Sequence, residues 1–336
     1  MAAPELNQDA WTSILEAVTD SRDAAAMACA FRAANDAYAY SKWPRSVRIA
    51  RNEDVHEPAS GTFHVVVRPG EPVQAAVDRC PRGGCVLLMP GTHEGPLVLA
   101  ANKEVHVFGR GQATLQTRSR EVVTSKADKS TLDGLTLRFN GTSADYSVWI
   151  IAGHLRLQNC DISNAAAVSV WIQNGADPLL KACRIHNGAN WGVCLDGAGT
   201  RGRMESCDVS GNKFAGVQIM RGADAVLADC KIHNEVNWGV QLDAGGRARL
   251  ERCDIWSNGN DGVCVENGGD AELVACTIRD HPTGWGVRVD SDSRATVGQD
   301  CVFDRNAKGD IIRDANDADD LMDEEAEEEE EEEEVN

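Results

Sequence analysis

The 336-residue chain has no apolar run of membrane-spanning length, which excludes a helical transmembrane protein. Its first residues, MAAPELNQDAWTSILEAV, carry acidic side chains where a secretory signal has a basic start and an apolar centre. A soluble protein of the cytoplasm, the nucleus or both is therefore expected. No phosphate-binding loop and no His/Cys/Asp triad with readable spacing occurs, so no cofactor is expected. Lysine and arginine are absent from Asp314 onward, where five Asp and ten Glu fall in 23 residues. That stretch holds −15 of the net charge of −20 and leaves only −5 for the rest. The acidity is local and says nothing about partners of the preceding chain. A run such as Glu327 to Glu334 repels itself and builds no core, so residues 314–336 are expected to be a disordered tail. It serves solubility or contacts basic proteins such as histones.

What is present is a repeat. Seven cysteines, Cys160, Cys183, Cys207, Cys230, Cys253, Cys276 and Cys301, are spaced by 23, 24, 23, 23, 23 and 25 residues. Five of them begin CDI, CRI, CKI, CDI and CTI, and an Asn usually follows (Asn164, Asn187, Asn212, Asn234, Asn258, Asn306). A second marker runs in phase: WGVCLD, AGVQIM, WGVQLD, DGVCVE and WGVRVD, starting at 191, 215, 238, 261 and 285. After each Gly the apolar residues alternate, as in Val193 and Leu195 or Val240 and Leu242, which is the period of a strand with one buried face. HNGANWGVCLD at His186 returns as HNEVNWGVQLD at His233, 47 residues later, which is two units. A unit of short strands without a helix cannot close a core alone. Stacked in parallel as a coil it can, so the fold class is all-β, a right-handed parallel β-helix over residues 62–313.

The coil's start is legible. Val73 to Gly111 opens with a short amphipathic helix (Val73 to Val77) and continues as strands separated by turns at Pro90–Gly91 and Gly109. It resembles the N-terminal entry of pectin-lyase-like β-helices, in which a helix covers the open end of the core and a PGTY-like turn follows the first strand; here the turn reads PGTH, Pro90 to His93. Residues 1–50 differ: they are Ala-rich, lack the period of two and offer two amphipathic helical stretches, with residues 51–61 as a linker.

The alternating 23-residue units, with RIHN…GV…LD and D(I/V)…N…AGV.I, resemble the β-helix of F-box proteins that carry carbohydrate-binding/sugar-hydrolase (CASH) repeats. The likeness covers roughly Leu132 to Asp314 and departs at the cysteine column, where the family commonly has Asn. The N-terminal segment resembles a degenerate F-box. Leu6, Ile14, Leu15 and Val18 fall on its first apolar face, and Asp20 to Asp23, Cys29 and Trp43 match its turn, cysteine and terminal tryptophan. Asn7 stands where the motif has proline, and Phe31 and Arg32 straddle its tryptophan. The resemblance implies docking of a Skp1-type adaptor through Leu6, Ile14, Leu15, Val18 and Trp43, with the β-helix as protein-substrate receptor of a ubiquitin ligase. Otherwise the first fifty residues are a plain helical cap.

Two outward columns stand out. Asp196, Met220, Asp243, Glu266 and Asp290 stack at the ordinary strand spacing of about 4.8 Å. Such an acidic strip takes Ca²⁺ or a basic peptide, or is a solvated face neutralised by Arg221, Arg247 and Arg288. Trp191, Ala215, Trp238, Asp261 and Trp285 put a tryptophan on every other coil, suited to gripping a sugar ring or a peptide, or to shielding the turn glycine. The cysteines suit a buried inner corner as small hydrophobes, and a single file does not make a tetrahedral zinc site. No catalytic constellation emerges: AGHL around His154 is the nearest approach to the GHG segment of β-helix polygalacturonases, and Arg288 beside Asp290 is one residue rather than a lyase site. The reading is thus a binding protein, not an enzyme and not a binder of nucleic acid or membrane; no metal site is assigned, with Ca²⁺ on the acidic column left as one of the open occupants. Its substrate would lie along Trp191, Trp238, Trp285 and the acidic column Asp196, Asp243, Glu266 and Asp290. The alternative is a carbohydrate-binding or carbohydrate-active β-helix using the same face.

Overall fold

Each 23-residue unit contains three runs too short for a helix, such as Leu179–Lys181, Arg184–His186 and Val193–Asp196, and each run is a strand. The computed structural model describes residues 48–49, 63–109, 112–143 and 146–313. Alternate residues of each strand point inward, so Leu180, Ile185, Val193 and Leu195 are buried. Every strand then pairs in parallel with its counterpart one unit on: Leu180 faces Met204, Ile185 faces Val209 and Leu195 faces Ile219. Iterated, this pairing makes three parallel sheets of 12, 10 and 10 strands around one aliphatic core. The result is a right-handed parallel β-solenoid of the pectin-lyase-like kind, as the periodicity requires.

The first sheet runs from Arg48–Ile49 to Arg294–Val297, the second from Gly91–Glu94 to Val302–Asp304, and the third from Leu97–Leu99 to Gly309–Arg313. Arg48–Ile49 pairs with Phe63–His64, so the first sheet starts inside the segment expected to be helical and ahead of the expected linker. The described residues include one helix, α1 (Val73–Arg79), a half-turn longer than the expected Val73 to Val77. It lays Val73, Ala76 and Val77 over the first rungs and closes that end of the core.

The corner between the first and second sheets turns on one residue in the left-handed region. Asn159, Ala182, Ser206, Asp229, Arg252 and Ala275 occupy it with φ between 50° and 55°. A non-glycine residue there costs roughly 1–2 kcal/mol. The cysteine that follows is buried, and its thiol meets a carbonyl of the coil before: Cys207 with Leu180 O at 3.4 Å, Cys253 with Leu227 O at 3.4 Å. The preceding thiol and burial together push Cys230 and Cys253 up to about 12. These cysteines are corner packing.

The turn between the second and third sheets carries a buried polar ladder. Each backbone N–H on the rung donates to a side chain one coil on: Gly188 N to Asn212 Oδ1 (2.8 Å), Asn212 N to Glu235 Oε2 (2.5 Å), Glu235 N to Asn258 Oδ1 (3.0 Å), Asn258 N to His281 Nδ1 (3.2 Å). The Asn pattern in the sequence merges two columns. Asn212 and Asn258 are in the ladder, whereas Asn187 and Asn234 sit outside it with φ of 54° and 58° and leave the rung to Gly188 and Glu235. Burial pushes the Glu235 carboxyl up to about 8, against the pull of its hydrogen bonds from Asn212.

The glycine of each WGV-type segment faces this ladder. A Cβ on Gly239 would lie 2.6 Å from Gly262 O and 2.7 Å from Asn258 Nδ2 and Ile255 Cγ2. Gly262 O and Asn258 Nδ2 are held by hydrogen bonds to Val240 N and Ile232 O, and Ile255 Cγ2 is packed in the core. Gly239→Ala is therefore expected to cost about 1–3 kcal/mol in urea unfolding.

Glu235 gives a pH prediction with a fixed sign. Its folded value lies above the ordinary 4.5, so its contribution is complete below pH 4.5 and is lost as pH rises to about 8. The slope approaches about 1.4 kcal/mol per pH unit. Chemical denaturation from pH 5 to 9 should show this decline, and Glu235→Gln should flatten it and be the more stable protein at the alkaline end.

Candidate binding site

Outward residues of the third sheet form columns fixed by register. Trp149 faces Trp171, which faces Cys194, then Gln218, Gln241, Cys264 and Arg288. Beside this column runs the one at the turn, Trp191 to Trp285. Together they carry an aromatic row. Ring centroids lie 5.9 Å apart for Tyr146 and Trp149, 4.9 Å for Tyr146 and Trp171, and 6.0 Å for Trp171 and Trp191. The row continues with Trp191 and Phe214 at 5.9 Å and Phe214 and Trp238 at 5.1 Å. It crosses five successive coils, about 19 Å at ordinary strand spacing.

Of the three tryptophans expected on this face, Trp191 and Trp238 belong to the row and Trp285 does not. Asp261 separates it from Trp238, and its ring lies over Gly309, where a Cβ would come within 2.8 Å of it. Phe214 fills the gap that Ala215 leaves between Trp191 and Trp238. Column reading missed it because the ring enters one residue early. Trp149 and Trp171 were missed too, although SVWI is written twice, at 147–150 and 169–172.

Where the aromatics move from the strand column to the turn column, the strand column becomes Cys194, Gln218 and Gln241. Gln218 and Gln241 point away from the core yet are 1% and 6% exposed, and the side-chain carbonyl of each is without a partner. The indole N–H groups of Trp149, Trp171 and Trp191 are likewise buried and unpartnered.

Of the expected acidic column, Asp196, Met220 and Asp243 stand in register. Each carboxylate is engaged. Asp196 is held by Nε and Nη2 of Arg221, and Asp243 accepts from Asn267 Nδ2 at 2.8 Å. Glu266 takes Arg288 Nη2 at 3.2 Å and Gln241 Nε2 at 2.5 Å, and Asp290 accepts from Asn267 N at 2.9 Å. Arg288 also bonds Asp261 at 3.0 Å. Arg247, considered as a third neutralising cation, lies instead on the first sheet opposite Asp224 and Asp270. Among the described residues no group of three His, Cys, Asp or Glu side chains is arranged to hold a metal ion.

The repeated HN dipeptides lie on the second sheet. His186 Nε2 meets Asp161 Oδ1 at 3.1 Å and its Nδ1 meets Asn187 Nδ2 at 2.9 Å; His233 repeats this with Asp208 (3.2 Å) and Asn234 (2.9 Å). His186 thereby holds the Asp161 carboxyl below its usual range. Both ring nitrogens are occupied, so neither imidazole is free to take a proton from a substrate. The His154 imidazole meets Asp128 Oδ1 at 3.4 Å. Leu6, Ile14, Leu15, Val18 and Trp43 lie outside the described residues.

Comparison with known proteins agrees with this architecture. The fold resembles an alginate lyase from Paenibacillus sp. str. FPU-7 (TM-score 0.54, 11% identity, 74% of this chain and 97% of that one). It also resembles pectate lyase Pel9A (TM-score 0.47, 12% identity, 77% and 80% covered) and the A-module of the Azotobacter vinelandii mannuronan C-5 epimerase AlgE4 (0.43, 15%, 71% and 92%). At such identities the likeness is one of fold. No curated protein matches the chain. The family described as right handed beta helix region matches residues 122–278 and 189–319, together more than half of the sequence, and the chain belongs to that family.

Proposed function

We propose that this protein is a recognition scaffold that holds an elongated ligand along the third sheet without transforming it. The observation that carries the reading is the unbroken aromatic row over five coils. Half-buried rings offer large contact area at little cost in ordering, and a rigid solenoid holds them in fixed edge-to-face contact, Trp171 on Trp191, Trp191 on Phe214 and Phe214 on Trp238. An enzyme would also need an acid and a base within reach of the bound ligand. Beside the row the carboxylates are held by arginines or amides, and the thiols of Cys194 and Cys264 are raised by burial.

The F-box-like residues Leu6, Ile14, Leu15, Val18 and Trp43 support a finer reading: the scaffold is the substrate receptor of a ubiquitin ligase, joined to a Skp1-type adaptor and acting in the cytoplasm or nucleus. The test is a pull-down with a Skp1-type adaptor, using the full chain and a chain lacking residues 1–50. The ligase reading requires retention by the full chain only. Retention by neither removes the adaptor and leaves a scaffold with another role, such as binding carbohydrate.

A further inference from the structure

The two ends of the solenoid are unlike. At the N-terminal end the start of each sheet is covered. On the first sheet Arg48–Ile49 pairs with Phe63–His64. On the second, Pro69 lies over Gly91, where a Cβ would come within 2.6 Å of the proline ring. On the third, Gln74 of α1 accepts from Val98 N at 2.7 Å and donates to Val98 O at 3.2 Å, supplying the donor and acceptor of a preceding strand.

The C-terminal end differs. Arg294–Val297, Val302–Asp304 and Gly309–Arg313 are the last strands of the three sheets, and among the described residues no strand lies beyond them. Val302 and Ile311 are 55% and 38% exposed, two of the four large apolar side chains exposed among the described residues. Ile311 continues the inward column of Val287, and Phe303, half-buried, continues that of Ile278. Arg313 Nη2 donates to Ala295 O at 3.1 Å and ties the last strand of the third sheet to that of the first. We propose that this end is a docking surface for a second copy of the chain, end to end and two-fold symmetric, kept apart at low salt by the charge of residues 314–336.

Shape selects the occupant. Three strand edges lie on three sides of one rung, and a single strand added from another protein would pair with one of them. A second last rung offers three edges in the same triangle. Turned to face the first, its chain runs round the triangle in the opposite sense, so each edge meets an antiparallel strand, the more stable pairing. Residues 294–313 number 20, enough for one side of an ordinary specific interface of roughly 20–30 residues. The covered N-terminal end offers no such set of edges, so association stops at two copies instead of running on as a fibre.

Charge sets the conditions. Residues 294–313 carry four cations, Arg294, Arg305, Lys308 and Arg313, against three carboxylates, Asp300, Asp304 and Asp310, so the rung itself is nearly neutral toward its copy. The next residue, Asp314, begins the stretch that holds −15. Joining two last rungs brings the starts of two such stretches to one junction. Salt screens their repulsion, since the Debye length falls from about 10 Å at 0.1 M to about 3 Å at 1 M.

The test is analytical ultracentrifugation of the full chain at about 0.1 M and about 1 M sodium chloride. Beside it runs a full-length variant carrying Glu327→Gln through Glu334→Gln, which removes eight charges. The unaltered chain should be a monomer at low salt and a dimer at high salt. The glutamine variant should dimerise at low salt, with the dimer Kd lowered about tenfold or more. Ile311→Lys should return both to monomers. Thermal melting shows whether Ile311→Lys folds, and Val302→Lys, on the outer side of the same rung, takes its place if it does not. A dimer untouched by the lysine lies on another surface and overturns the proposal. So do oligomers larger than two, and so does a chain that stays monomeric both at high salt and with the glutamines.

Discussion

Every side chain in a parallel solenoid lies about 4.8 Å from its counterpart in the next coil. Apolar residues tolerate this without limit, which is why Ile185, Val209, Ile232 and Ile255 succeed one another in one column. Charges do not, because like charges directly opposite on neighbouring strands repel. The second sheet resolves it as Asp161, Arg184, Asp208, Lys231 and Asp254, alternating in sign. The first sheet does the same with Arg201, Asp224, Arg247, Asp270 and Arg294. Bulk alternates too: Ser163, His186, Ser210 and His233 share a column, and each small serine leaves room for a histidine to lean back onto the aspartate of the coil before. The 47-residue return of HN…NWGV is therefore the period of complementarity, two coils, rather than the period of the backbone, one coil.

Inside the turns the same stacking works in favour of polar groups. A backbone N–H pointing along the axis finds an acceptor one coil on if the side chain there is Asn, His or Glu, and every rung of the described ladder is filled in this way. Glu235 holds the rung between two asparagines and is paid for by losing its charge near neutrality. His281, lowered by burial, is kept neutral by the same means, so that Nδ1 can accept. Glycine beside the ladder is a steric necessity: Gly192, Gly216 and Gly239 have no room for a Cβ between ladder, core and the next coil's carbonyl.

The backbone period was legible because each unit repeats a buried pattern that physics reads as strand, and the cysteine corner was legible because the column is unbroken. The row was only partly so. Trp191 and Trp238 could be found by column, but a column cannot reveal that Phe214 swings into the space above Ala215, or that Trp171 continues the row from a different register position. The acidic column was found as a column, yet its neutralisation by Arg221 and Arg288 depends on side-chain reach, which spacing does not encode. Conversely, Trp285 satisfies the column and misses the row, because Asp261 interrupts the rings and Gly309 offers a nearer surface.

The drift of the row from strand to turn also explains why its polar atoms are concentrated where they are. A tryptophan at the strand position, as at 149 and 171, fills the outer surface of its own coil. Once the ring moves to the turn position, as at 191 and 238, the strand position beneath must be narrower, and it becomes Cys194, Gln218 and Gln241. A scaffold that needed only to cover this surface would be served by aliphatic residues of the same size. Glutamine instead brings a carbonyl that the protein leaves unsatisfied at both positions, a cost that folding alone gives no reason to bear. The same kind of cost is carried at His93 Nδ1, at Asp254 Oδ1 on the second sheet and at His281 Nε2 in the ladder, so the solenoid's inward columns are stable enough to bear unpartnered polar atoms at several places along the coil.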